Sequence, residues 1–142
     1  MVIKYLGDTS GGDFPLIEIP YFLNKVRVGW PSPADDYVER SIDLNEHLIK
    51  NPAATYFVRV SGNSMINAYI GDGAILVVDR SIEPQHKCIV VAAISGSYAC
   101  KRLLVKPRLC LASENPKYPP ILIGKNEELE IAGVVIAAIN TY

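Results

Sequence analysis

The sequence has no surplus of positive charge. Fourteen Lys and Arg residues stand against fifteen Asp and Glu in a chain of 142. A broad cationic face for DNA is not expected, and neither is direct sequence-specific DNA binding. The three cysteines, Cys88, Cys100 and Cys110, are too few and too odd in number for a disulfide framework. Reduced thiols in a cytoplasmic protein are the simpler reading. There are two histidines, His47 and His86, and neither they nor the cysteines have the spacing of a metal site. No metal and no cofactor are expected. The amino-terminal stretch "MVIKYLGDTSGGDFPLIEIPYF" lacks a basic start followed by a long apolar core, and no run is long enough to span a membrane.

What is present is a globular composition, 49% apolar and 20% charged, at a length that suits one domain with a real core. Residues 1–40 differ from the rest. "TSGGD", "GWPSPADD" and short apolar pieces read as an extended N-terminal arm, or as an edge strand with loops packed on the body. "SIDLNEHLIKNP" reads as a short helix. Asp43 is its cap, Glu46 completes a capping box, Leu44 and Leu48 share a face, and Pro52 stops it. From Thr55 onward "TYFVRV", "AILVVD", "CIVVAAI", "SYACKRLLV" and "LEIAGVVIAAI" are rich in β-branched and aromatic residues, with glycines and prolines between them. The expected fold is mostly β: a compact, largely antiparallel domain over residues 41–142, carrying the arm of residues 1–40.

One turn carries the chemistry. "RVSGNSMINAYIGDG" places Ser64 between a strand and a glycine-rich turn. A serine hydroxyl is a weak nucleophile and needs a base. Gly62 lets the backbone turn tightly, and N–H groups around Ser64 can face an oxyanion. "GNSM" alone also fits an ordinary loop. His47 and His86 are candidate bases, but neither has an orienting acid at a telling spacing. In "SYACKRLLV" the period of two puts Ala99, Lys101, Leu103 and Val105 on one face. A lysine on an apolar face is pushed toward its neutral form and can serve as a base in a Ser-Lys pair. The same spacing also fits an edge-strand lysine whose stem packs while its head reaches water.

Taken together, "ATYFVRVSGNSMINAYIGDGAILVVDRS", "ACKRLLVKPRLCL", "ENPKYPPI" and "EIAGVVI" resemble the LexA-like self-cleaving serine peptidases, and most of all their UmuD-like branch. "GWPSPADDYVERSIDLNEHLIKNPAATYFVRVSG" continues that pattern from the cleavage region into the catalytic domain. The resemblance runs from about Gly29 to the carboxy terminus. It implies a LexA/UmuD-like β-domain in which Ser64 is the nucleophile and Lys101 the general base. It also implies self-cleavage just before a glycine of the arm, which places the scissile bond at Val28–Gly29. The implied setting is the SOS response and error-prone replication past DNA damage. The implied partners are another copy of the chain in a homodimer, a RecA–single-stranded DNA filament that promotes cleavage, and a Y-family, UmuC-like translesion polymerase subunit.

Three positions depart from the family pattern. Val28 stands where alanine or cysteine is usual, Ala74 where an acidic residue is frequent, and Lys87 where glycine is common. Val28 is the best support for an alternative, a polymerase-binding or regulatory module whose peptidase activity is weak or lost. A signal-peptidase-like enzyme acting on other proteins shares the Ser-Lys chemistry, but the missing membrane anchor argues against it. A repressor of the LexA type would need a DNA-binding domain ahead of the cleavage site. The first 28 residues show no helix-turn-helix pattern.

Overall fold

The structure is a computed structural model, and it describes residues 2–8, 19–22 and 38–142. The chain divides into two units, Met1–Gly11 with Asn51–Tyr142, and Gly12–Lys50. The smaller unit holds β2 (Ile19–Phe22), β3 (Val38–Ile42) and α1 (Leu44–Leu48). β2 and β3 pair antiparallel. Asp43 caps α1 as its side chain predicts: Oδ1 accepts from Asn45 N–H at 2.7 Å and from Glu46 N–H at 3.3 Å. The helix ends one residue short of Ile49 and buries none of its residues, and Leu44 is largely exposed. The Val28–Gly29 bond lies outside the described residues.

The larger unit is one antiparallel sheet. Its strands are β1 (Val2–Asp8), β4 (Thr55–Ser61), β5 (Ile75–Asp79), β6 (Ile89–Ile94), β7 (Ser97–Leu104), β8 (Cys110–Ala112), β9 (Ile121–Leu122) and β10 (Leu129–Ile139). They lie in the order β1-β4-β5-β10-β6-β7-β8-β9. The five strands expected from composition all form. β1 lies within the stretch read as an arm and is an edge strand, paired with β4 from Val2 opposite Ser61 to Asp8 opposite Tyr56.

The central strands are covered on both faces. Tyr56, Val58 and Val60 of β4 form one core with Leu76, Val78, Val91 and Cys100. Val90, Ala92, Leu103, Leu111 and Val134 form another. β6 contributes Val91 to the first core and Val90 and Ala92 to the second, as a period of two requires. A flat sheet would keep β7 apart from β4, yet Lys101 of β7 bonds to Ser64 on the turn that leaves β4. Four inter-strand steps separate the two strands, roughly 19 Å at about 4.8 Å per step. β1 also approaches β7. The sheet therefore curls back on itself, and that curl brings the end of β4 to β7.

Candidate active site

Ser64 sits on the turn that leaves β4. Gly62 has φ +93°, in the left-handed region where a side chain is strained, so the tight turn depends on glycine. The Asp72 carboxylate accepts from Gly62 N–H at 2.7 Å and ties the turn to its own far side. Gly73 N–H and Ala74 O bond back to Val60, which completes a closed loop around the serine. Met65 beside it is fully buried, and Ser64 itself is 1% exposed. A short 3-10 turn, Ile66–Ala68, follows. Its outer end is held by Asn140, whose side chain accepts from Gly71 N–H at 3.1 Å and donates to Tyr69 O at 2.9 Å.

Lys101 comes from the middle of β7, opposite Val90 of β6. β7 has neighbours on both sides, so this is not an edge-strand lysine. The residue is 7% exposed. Its Nζ lies 3.1 Å from Ser64 Oγ. Among the described residues the one ion pair is Arg102–Glu114, so no carboxylate neutralises Lys101. Burial pushes its pKa below the ordinary 10.5; the neighbouring Cys100 opposes this more weakly. The thiol of Cys100 is itself pushed up by burial to about 12, which leaves it protonated and inert beside the pair. Neither of the other two candidate bases is bonded to Ser64. His86 is exposed and its Nδ1 accepts from Val105 N–H at 3.0 Å, and His47 is exposed on α1.

The arrangement can move a proton. A neutral amine at 3.1 Å from a hydroxyl accepts its hydrogen bond and can take the proton as the oxygen attacks. Developing negative charge then needs donors. Among the described residues the backbone N–H groups of Asn63, Ser64 and Met65 make no hydrogen bond, so they are free to serve. A groove of about 540 Å³ elsewhere on the sheet, lined by Tyr56, Arg80, Tyr98 and Glu130 among others, includes neither Ser64 nor Lys101.

Several supports of the site carry no signal in local sequence. Asn115 Nδ2 donates to Asn63 O at 2.8 Å, and Glu114 O accepts from Asn67 N–H at 2.9 Å. Both lie in the segment after β8, some fifty residues from the turn they hold. Glu114 also pairs with Arg102, the neighbour of Lys101 on β7. The quoted segment "ENPKYPPI" contains these residues, but nothing in its pattern says what they touch.

The family model described as Peptidase S24-like matches residues 20–136. Protein MucA of Salmonella typhimurium is 45% identical over 127 residues, covering 89% of this chain and 87% of that protein. Protein ImpA of Salmonella typhimurium is 44% identical, covering 94% and 90%. The LexA repressor of Bordetella avium is 33% identical, and the match covers 84% of this chain but 56% of the repressor. By whole-length similarity to MucA and ImpA, with the repressor more distant, the chain belongs to the S24-like peptidases, on their UmuD-like branch.

Proposed function

We propose that this protein is a self-cleaving serine peptidase that cuts its own arm between Val28 and Gly29 with a Ser64–Lys101 dyad. The observation that carries this reading is the 3.1 Å approach of Lys101 Nζ to Ser64 Oγ, with both groups buried and no acid paired to the lysine among the described residues. Neutral Lys101 takes the Ser64 proton as Oγ attacks the Val28 carbonyl. N–H groups of the Ser64 turn stabilise the oxyanion. The protonated lysine then gives its proton to the leaving amine of Gly29. Water, deprotonated in turn by Lys101, releases the acyl group from Ser64.

The biological reading rests on family membership. Cleavage is promoted by a RecA–single-stranded DNA filament in the SOS response. The shortened chain, as a homodimer, serves a Y-family, UmuC-like translesion polymerase subunit in the cytoplasm. Among the described residues no helix is long and apolar enough to cross a membrane.

The test is incubation of purified chain with activated filament, followed by sequencing of any new amino terminus. A product beginning at Gly29 is expected. Ser64→Ala and Lys101→Ala should each remove cleavage almost entirely, because both groups serve one step, while circular dichroism shows a folded chain. Normal cleavage by either folded variant overturns the dyad. A wild-type chain that stays intact but binds the polymerase subunit would instead mark a regulatory module, the alternative that Val28 supports.

A further inference from the structure

The peptide unit between Asn63 and Ser64 is trans, the one cis peptide among the described residues being Lys106–Pro107. In a trans peptide the C=O of one residue and the N–H of the next are fixed in one plane and point in opposite directions. Whatever grips the Asn63 carbonyl therefore also aims the Ser64 N–H. Two donors grip it. Ile66 N–H, within the same turn, is at 3.3 Å, and Asn115 Nδ2, from the segment after β8, is at 2.8 Å.

The Asn115 carboxamide has no freedom to face the other way. Its Oδ1 accepts from Lys117 N–H at 3.0 Å, which leaves the amino group for Asn63. Its backbone is held as well, since Asn115 O accepts from Tyr118 N–H at 3.0 Å. The preceding residue is anchored at both ends. Glu114 O takes Asn67 N–H on the far side of Ser64, and the Glu114 carboxylate pairs with Arg102 on the strand that carries Lys101. Arg102 Nη1 also donates to Lys87 O at 2.6 Å. One short segment thus grips the nucleophile turn before and after Ser64 and ties it to the strand of the base.

We propose that Asn115 is a positioning residue for the peptidase reaction: by holding the Asn63 carbonyl it aims the Ser64 backbone N–H at the oxyanion. This deepens the function proposed above and rests on it. Asn115 bonds to the Asn63 carbonyl and not to the Ser64 or Lys101 side chain. Its effect passes through a rigid peptide plane, so it bears on how well charge is stabilised and not on how readily Lys101 loses its proton.

The test is the rate of filament-free self-cleavage of the full chain across a pH series, for wild type, Ser64→Ala, Asn115→Leu and Asn115→Asp. Leucine keeps the volume without the donor. Aspartate keeps the shape and the acceptor for Lys117 N–H but turns a carboxylate toward the Asn63 carbonyl. The expected result is a plateau rate lower by about 10- to 100-fold in both Asn115 variants, since a small misplacement of a reacting group costs on that order. The pH midpoint should stay at the wild-type value in Asn115→Leu, while the added carboxylate of Asn115→Asp should raise it. A displaced Lys101 would move the midpoint in the leucine variant too. A merely structural residue would lower the melting temperature and leave the plateau, measured well below melting, where it was. Should Asn115→Leu fail to fold, the aspartate variant decides. A wild-type plateau in either folded Asn115 variant, with Ser64→Ala inactive, overturns the positioning role and leaves the peptidase standing. Full cleavage by Ser64→Ala overturns both.

Discussion

Burial disfavours the charged form of Lys101, the direction the proposed dyad requires, and it does so at a cost to the fold. An ammonium on the face of β7 that also carries Leu103, with no acid paired to it among the described residues, loses hydration and regains little. The folded chain therefore holds this proton less tightly than the unfolded chain, and the pKa falls below 10.5. Between the folded and the ordinary value the unfolded state binds more protons, so this group's contribution to stability rises with pH across that window. Below the folded pKa the cost is present in full, and above 10.5 it is gone. Lys101→Met should thus be inactive yet more stable than wild type at neutral pH. A gain on the order of 1 kcal/mol, or about 3 °C in melting temperature for a domain of this size, is expected. The gain should shrink as pH is raised toward 10.5. Melting curves of both chains over a pH series check this, and an advantage independent of pH would mean that packing, not charge, separates them.

At the scale of elements, the connection from β5 to β6 shows a similar conflict. Its last residues extend the β6–β7 ladder: Lys87 N–H bonds to Leu103 O at 2.7 Å and Leu103 N–H to Cys88 O at 2.8 Å. To make both bonds Lys87 takes φ +74°, which strains any residue with a Cβ. The glycine common at this position in the family has a physical reason here. Lys87→Gly should stabilise the chain by roughly 0.5–1 kcal/mol, the relief of strain exceeding the extra freedom of the unfolded chain. Its backbone carbonyl would still receive Arg102. Denaturant unfolding of the two chains measures the difference, and a less stable glycine variant would refute the strain argument. The departure at Lys87 was visible in sequence, but its sign was not, because φ is set by a ladder that forms only in the fold. The same boundary runs through the rest. The five long strands from Thr55 onward were legible, whereas β1 was read only as an arm or an edge strand and β3 was not read as a strand. β8 and β9, three and two residues long, are too short to show a period. Ser64 and Lys101 were legible as a spaced pair of motifs. Asn115, Asp72 and Asn140 were not, since their partners depend on how the sheet curls.

For the whole molecule the decisive feature is where the arm is anchored. β1 pairs with β4 from Val2–Ser61 to Asp8–Tyr56, with a shift of register between Tyr5 and Gly7. If the chain is cut between Val28 and Gly29, β1 leaves with the first 28 residues, and β4 stays with residues 29–142. Before the cut the pairing is intramolecular, at an effective concentration fixed by the chain that joins the two strands and independent of the protein concentration. After it, the pairing is an encounter between two molecules. At micromolar protein that change favours release of a seven-residue strand, whose backbone bonds contribute only about 1 kcal/mol each against an ordering cost of similar size per residue. β4 would then be the edge of the sheet, with unpaired N–H and C=O groups one turn away from Ser64, the kind of edge that accepts a strand from another chain. Hydrogen exchange read on peptides covering Thr55–Ser61 should therefore quicken after cleavage and dilution. Exchange across Ile75–Asp79, paired on both sides by β4 and β10, should stay slow. Uncleaved Ser64→Ala chain at the same dilution is the control. If the β4 peptides exchange equally slowly once the short fragment has been removed, β1 is not what protects them, and cleavage does not open this edge.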